Sequence, residues 1–237
     1  MQISSLSRLF DISGGLIWHA RALRSRQKLW RSFRESVTQF LESAPGQHQT
    51  LVLIGPSAGW CLPDVFITKF EKIICIDPDP LAPFLFGWLH GHSVRQVGTQ
   101  LIWRHADFFS DPARQLDGLS DPLILLCNVA GQLFLQKGKA RAIESELASL
   151  KHILSKYDWG SFHDLLSAPI MRDLPVRSYA TRPVGEKLLK DYGLSGVWLD
   201  HLTGELLPQL NARMILPWQL KPDRLHLVEA GWVKAWQ

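Results

Sequence analysis

The chain has 237 residues, 46% of them hydrophobic and 20% charged, with a formal net charge of +4. This is ordinary globular composition with room for one large α/β domain, or one domain with an extension; it excludes fibrous and low-complexity classes. No run of about 18 apolar residues exists to span a membrane, and the N-terminus lacks the basic-then-apolar order of a secretory signal, so a cytoplasmic protein is expected.

Residues 1–46 read as a basic helical extension. Ile17, Ala20, Leu23, Leu29 and Trp30, then Phe33, Val37, Phe40 and Leu41, recur at near-helical spacing. Arg21, Arg24, Arg26, Lys28, Arg31 and Arg34 occupy the other face. Two uses are open for such a helix. Arg21, Arg24, Arg31 and Arg34 would face nucleic acid or an acidic partner, or the apolar stripe would be buried on the main domain while the arginines stay in water. Pro45 and Gly46 end the segment.

The main domain is expected over residues 47–237. Thr50–Ile54 is apolar throughout, as suits a strand covered on both faces. The small-residue loop Gly55-Pro56-Ser57-Ala58-Gly59 follows, then a helix over residues 62–70. Lys72–Ile76 is the second strand and ends in an acidic turn, Asp77 and Asp79. Residues 81–90 read as a helix, and Gln100–Arg104 as a third strand closed by His105 and Asp107. Leu123–Cys127 is the fourth and most apolar strand, with Asn128 directly after it. Residues 139–154 carry an amphipathic stripe of Ala142, Ile143, Leu147, Leu150, Ile153 and Leu154. A fifth strand over residues 158–166 holds Ser161, His163 and Asp164. Residues 167–200, broken by three prolines, read as a long insertion of the kind often tied to function. Residues 212–218 and 224–228 form a closing hairpin. The expected fold class is α/β: a Rossmann-like, doubly wound, mostly parallel sheet of about seven strands with a C-terminal antiparallel hairpin and an N-terminal helical extension.

This alternation, with its loop and acidic positions, resembles the class I S-adenosylmethionine-dependent methyltransferases over roughly residues 50–236. The resemblance implies S-adenosylmethionine as cofactor and an acceptor it does not specify. It assigns the donor cradle to Gly55, Pro56, Ser57 and Gly59, and the ribose hydroxyls to Asp77, with Asp79 as understudy. Asp107 would reach the adenine, and Asn128 would stand beside the methyl donor. The physics suits these roles. Glycine lets backbone approach a ligand closely, and one carboxylate can accept from two hydroxyls. The chain departs from the family pattern where Leu53 replaces an acidic residue and Ser57 replaces the middle glycine. No Asn/Asp-Pro-Pro-aromatic motif follows the fourth strand, and Cys127 has no Pro-Cys partner, so the usual base-methylating signatures are missing.

Other readings stay open. Gly55 to Gly59 also spells Gly-x-Ser-x-Gly, the nucleophile elbow of a serine hydrolase with Ser57 as nucleophile. The chain would also serve as a noncatalytic methyltransferase-like scaffold contacting its partner through the basic helix. For catalysis, His163 and Asp164 are the candidates for general base or substrate orientation; the alternative is a pair of strand-end residues that satisfy loop backbone groups. His90 and His92 have no carboxylate or cysteine at ligand spacing, so no metal site is expected. Cys61, Cys75 and Cys127 suit free thiols in a reducing compartment. Trp60 and Trp88 are candidates to shape the cofactor pocket.

Overall fold

The computed structural model describes residues 15–131, 140–183 and 185–236. Residues 1–14 of the extension and the side chains of Ala142 and Ile143 lie outside them. In chain order the elements are α1 (Gly15–Ser25), α2 (Arg31–Glu42), β1 (Thr50–Ile54), α3 (Asp64–Ile67), β2 (Lys72–Ile76), α4 (Ala82–Gln96) and β3 (Gln100–Arg104). They continue with a 3-10 turn at Phe108–Ser110, α5 (Pro112–Leu116), β4 (Leu123–Cys127), α6 (Ala140–Leu154), β5 (Trp159–Ala168), β6 (Arg177–Tyr179), α7 (Gly185–Asp191), β7 (Leu199–Asp200), β8 (Arg213–Lys221) and β9 (Arg224–Val233). No helix among the described residues is long and apolar enough to cross a membrane.

The strands form one mixed sheet in the order β3-β2-β1-β4-β5-β9-β8-β6, with β7 pairing the far half of β5. The five strands from β3 to β5 run parallel, and β9 and β8 follow antiparallel. This is the expected doubly wound sheet with its closing hairpin. Alternate residues of the apolar strands feed two cores, which is why these strands show no polar alternation. Leu51, Leu53, Ile73, Cys75, Leu123 and Leu125 pack with α1–α4 on one face. Val52, Ile54, Ile74, Ile76, Ile124 and Leu126 pack with α6 on the other, where Leu147, Leu150 and Leu154 of the predicted stripe are buried. The strand order reverses at β1/β4, the switch point where open sheets bind ligands.

The N-terminal helices belong to this packing. Trp30, Phe33, Val37, Phe40 and Leu41 are buried as expected, against the C-terminal hairpin: Phe33 stacks on Trp218 at 4.5 Å, and Trp30 Nε1 donates to the Leu220 carbonyl. In α1 the expected stripe is rotated. Ile17 and Leu23 are exposed, while His19 and Ala22 are buried. The reason is the polar contact His19 makes, described below. The predicted helix over 62–70 shortens to α3, and the insertion is more regular than its sequence suggests, since β6, α7 and β7 form within it. Leu188, Tyr192 and Leu194 pack there against Leu166, Ile215 and Leu227 in a third, smaller core.

Gly160 of β5 stands directly opposite Trp232 of β9. A Cβ at Gly160 would meet the Trp232 ring at 2.3 Å. That ring is stacked on Phe40 at 5.0 Å and its Nε1 donates to the Phe40 carbonyl, so it has little room to yield. Gly160→Ala is therefore expected to cost about 1–3 kcal/mol, as overpacking does. Thermal denaturation reads it, and a loss below about 0.5 kcal/mol would mean the ring swings away freely.

Candidate functional site

The carboxyl ends of the parallel strands gather most of the polar groups singled out in the sequence. After β1, Gly55, Ser57 and Gly59 all take positive φ, at 62°, 52° and 70°. Gly55 also abuts the loop after β4: a Cβ there would stand 1.8 Å from Val129 Cγ1, so only glycine fits. The Ser57 amide donates to Asp77 Oδ2 at 2.7 Å, and the Asp79 amide to Asp77 Oδ1 at 2.8 Å. Asp77 is only 5% exposed. Burial pushes its carboxyl up to about 6, against the two backbone donors, which favour the charged form.

Helix α1 closes over Asp79. The Gly15 amide donates to Asp79 Oδ2 at 3.0 Å, His19 Nε2 meets the same oxygen at 2.9 Å, and Trp60 Nε1 donates to His19 Nδ1 at 3.0 Å. Burial pushes the Asp79 carboxyl up, but the bonds from His19, the Leu81 amide and the Gly15 amide outweigh it and hold it below its ordinary value. Trp60 is thus buried beside the loop, whereas Trp88 is 62% exposed. Pro56 is buried within the turn, where its carbonyl accepts from the Gly59 amide. Asp107 accepts from the Phe109 amide at 3.1 Å and caps the turn after β3.

A second group lies past the end of β4. The edge of β5 pairs with β4 from Trp159 to Phe162 and with β7 at Leu166 and Ser167, which leaves a notch at Asp164. Asn128, in left-handed backbone at φ 55°, borders the notch: its Oδ1 accepts from the Asp164 amide at 2.9 Å. A register shift between Asp164 and Leu166 marks the same point. His226 Nδ1 meets Asp164 Oδ1 at 2.8 Å, and the His201 and His226 rings lie 5.6 Å apart. Burial pushes the Asp164 carboxyl up, but His226, His201 and the Asn128 amide outweigh it and hold it low. Burial lowers His201, which favours the neutral ring. His201 and His226 were missed in the sequence because each stands alone there.

Several candidates are not brought into this arrangement. His163 points to the opposite side of β5 from Asp164 and is fully buried, with Nδ1 2.9 Å from Ser161 Oγ and Nε2 3.2 Å from Glu229 Oε2. Strand alternation separates the two neighbours. Ser57 Oγ is buried with no hydrogen-bond partner among the described residues. His90 Nδ1 pairs with Asp64 Oδ1 at 2.5 Å, and His92 and His105 are exposed. Burial pushes the Cys61 thiol up to about 12, and Cys75 and Cys127 are buried free thiols. On the N-terminal helices Arg24 and Arg31 are exposed and Arg21 and Arg34 half-buried. Arg26 and Arg34 line a cavity of about 280 Å³ with Trp60, Asp64 and His90.

No family profile matches the chain, and no curated protein matches it. Among solved structures it is similar to the N-methyltransferase NodS from Bradyrhizobium japonicum WM9 with S-adenosyl-L-homocysteine, at 13% identity and TM-score 0.46 over 91% of this chain and 96% of that one. It is similar to a SAM-dependent methyltransferase from Anabaena variabilis at 12% and 0.48, over 97% and 96%. It is also similar to a chain named for Zn-dependent alcohol dehydrogenases from Rhodobacter sphaeroides at 11% and 0.43, over 70% of this chain and 56% of that one. Such scores describe a loosely shared backbone path, so the chemistry of the site has to come from its own side chains.

Proposed function

We propose that this protein is a methyltransferase using S-adenosylmethionine. The observation that carries the reading is the placing of two polar groups at the carboxyl ends of the parallel strands, Asp77 bonded to the Ser57 amide and Asn128 bonded to Asp164, with the loops after β1 and β4 in contact where Gly55 abuts Val129. The glycine turn and Asp77 would hold the nucleoside, with the ribose hydroxyls donating to Asp77. The two oxygens of Asp77 each carry a backbone donor and retain acceptor capacity for such bonds. Asp107 lies beyond β3, on the adenine side. Asn128 and Asp164 would stand between donor and acceptor. Methyl transfer from a sulfonium needs mainly alignment, because the leaving group is already activated; the task of the site is to hold the nucleophile in line with the methyl carbon. His163, buried behind the strand, would act on the packing of β5 and β9 and not on the acceptor.

Calorimetry with S-adenosylhomocysteine tests the reading, and its pH dependence adds a second check. The ribose hydroxyls need the ionised Asp77, whose carboxyl sits at about 6. Affinity should hold above that value and fall about tenfold per pH unit below it, one pKa unit being worth about 1.4 kcal/mol. The sign for stability runs the other way. A raised carboxyl contributes stability that is full below its ordinary value and lost as pH rises through about 6. Bound nucleoside should therefore raise the melting temperature more at about pH 8 than at about pH 5. No binding of the nucleoside at either pH would defeat the proposal.

A further inference from the structure

We propose that Asp164, His201 and His226 form a binding site for one divalent first-row transition cation, set in the notch where β5 has passed the end of β4 and not yet met β7. Two imidazoles and one carboxylate each offer a ligand atom, and the three atoms lie within 4.8 Å of one another. Ligand atoms about 2.1 Å from a shared ion stand roughly 3–4 Å apart. Side-chain adjustments of about an ångström would close this set around one ion. The donor types select the metal class: paired imidazoles favour zinc, iron, cobalt or nickel over magnesium and calcium, which prefer oxygen ligands alone.

The surroundings orient these ligands as outer contacts do at metal sites. Ser167 Oγ stands 3.0 Å from His201 Nε2 and holds the ring in place, with Nδ1 as the proposed ligating atom. That Nδ1 and Asp164 Oδ2 both border Gly131, where a Cβ would find them at 3.7 and 4.0 Å and meet nothing closer than 3.7 Å. Asn128 Nδ2 reaches Asp164 Oδ2 at 3.4 Å, and Thr203 Oγ1 donates to the Asp164 carbonyl at 2.5 Å. The His201 amide donates to the Leu165 carbonyl, and Ser167 pairs directly with His226 across β5 and β9. The ligands thus come from three segments locked to one another by main-chain bonds. With these three ligands from the described residues, coordination positions would remain for water or a substrate oxygen. An acceptor hydroxyl bound there would lose its proton more readily, as metal-bound water does. The competing reading is a relay that needs no ion, running from His226 Nδ1 to Asp164 Oδ1 at 2.8 Å.

The test is a cobalt titration of the full chain after chelator treatment. It involves no nucleoside, so its failure and that of the methyl-donor reading are separable. The expected result is saturable uptake of one equivalent, with visible d–d absorption and an X-ray absorption edge fitted by two imidazoles. His201→Ala and His226→Ala should each weaken uptake at least about tenfold, the lower bound for loss of a metal-site contact. His92→Ala, exposed on α4, should leave it unchanged. If an alanine variant misfolds by circular dichroism, the imidazole count at the cobalt edge of the unaltered protein still decides. No saturable uptake, an edge without imidazole, or uptake indifferent to both substitutions would overturn the site in favour of the relay.

Discussion

Replacing Glu229 by alanine is expected to cost the fold about 3–5 kcal/mol, the range for removing one partner of a buried ion pair. Glu229 and His163 are fully buried and Arg213 is 2% exposed. Glu229 Oε1 accepts from Arg213 Nη1 at 2.7 Å, and Oε2 faces His163 Nε2 at 3.2 Å. Without the carboxylate, the guanidinium charge would have no counter-ion in a place water does not reach. The damage should spread, because Arg213 also donates to the Pro208, Gln209 and Asn211 carbonyls and ties the entry of β8 to the hairpin. Burial pushes the Glu229 carboxyl up, but His163 and Arg213 outweigh it and hold it below its ordinary value. A depressed carboxyl contributes stability that is present above its unfolded pKa and lost as pH falls through its folded one. The gap between the two proteins should therefore be full at neutral pH and narrow only below about pH 4, the ordinary carboxylate value. Urea denaturation at both pH values checks this. A neutral-pH loss under about 1 kcal/mol would show that Arg213 finds another anion.

Asp77→Ala is expected to weaken S-adenosylhomocysteine binding by about a hundredfold or more, since each hydrogen bond to a charged group is worth about 1.5–3 kcal/mol and two ribose hydroxyls would be lost. The substitution also strips the acceptors from the Ser57 and Asp79 amides, so part of the loss would come through the loop. Asp77→Asn lessens the loop effect without removing it, since its oxygen still accepts one backbone amide while its NH2 faces the other. It keeps the shape and one acceptor oxygen, and its folded state should match the parent by circular dichroism while nucleoside affinity still falls. Parent-like affinity in both variants would remove Asp77 from the site and leave the acidic turn a purely structural feature. Asp79 makes a poorer substitute, because Gly15, His19 and Leu81 already occupy its oxygens.

What the chain determines locally was readable from its residues. Continuous apolar runs announce strands covered on both faces, and β1, β2 and β4 appear at the expected positions, as does the less buried edge strand β3. The turn after β1 needs glycine at Gly55 and Gly59 for the positive φ seen there. Asp77 and Asn128 follow directly from strands and so must stand at the carboxyl edge.

What depends on long-range pairing was settled only in three dimensions. His19 and Asp79 are 60 residues apart, and their bond turns α1 so that Ile17 and Leu23 face outward against the apolar pattern. His163 and Asp164 are sequence neighbours, yet strand alternation sends one into the Glu229 pair and the other into the notch beside Asn128. His201 and His226 carry no local signature at all; they reach Asp164 because β5 outruns β4 and pairs with β7 on one edge and β9 on the other. Backbone periodicity is a local property, whereas a polar cluster is made by the register of strands distant in sequence. The sheet could therefore be read from the sequence, while the grouping at Asp164 required the fold.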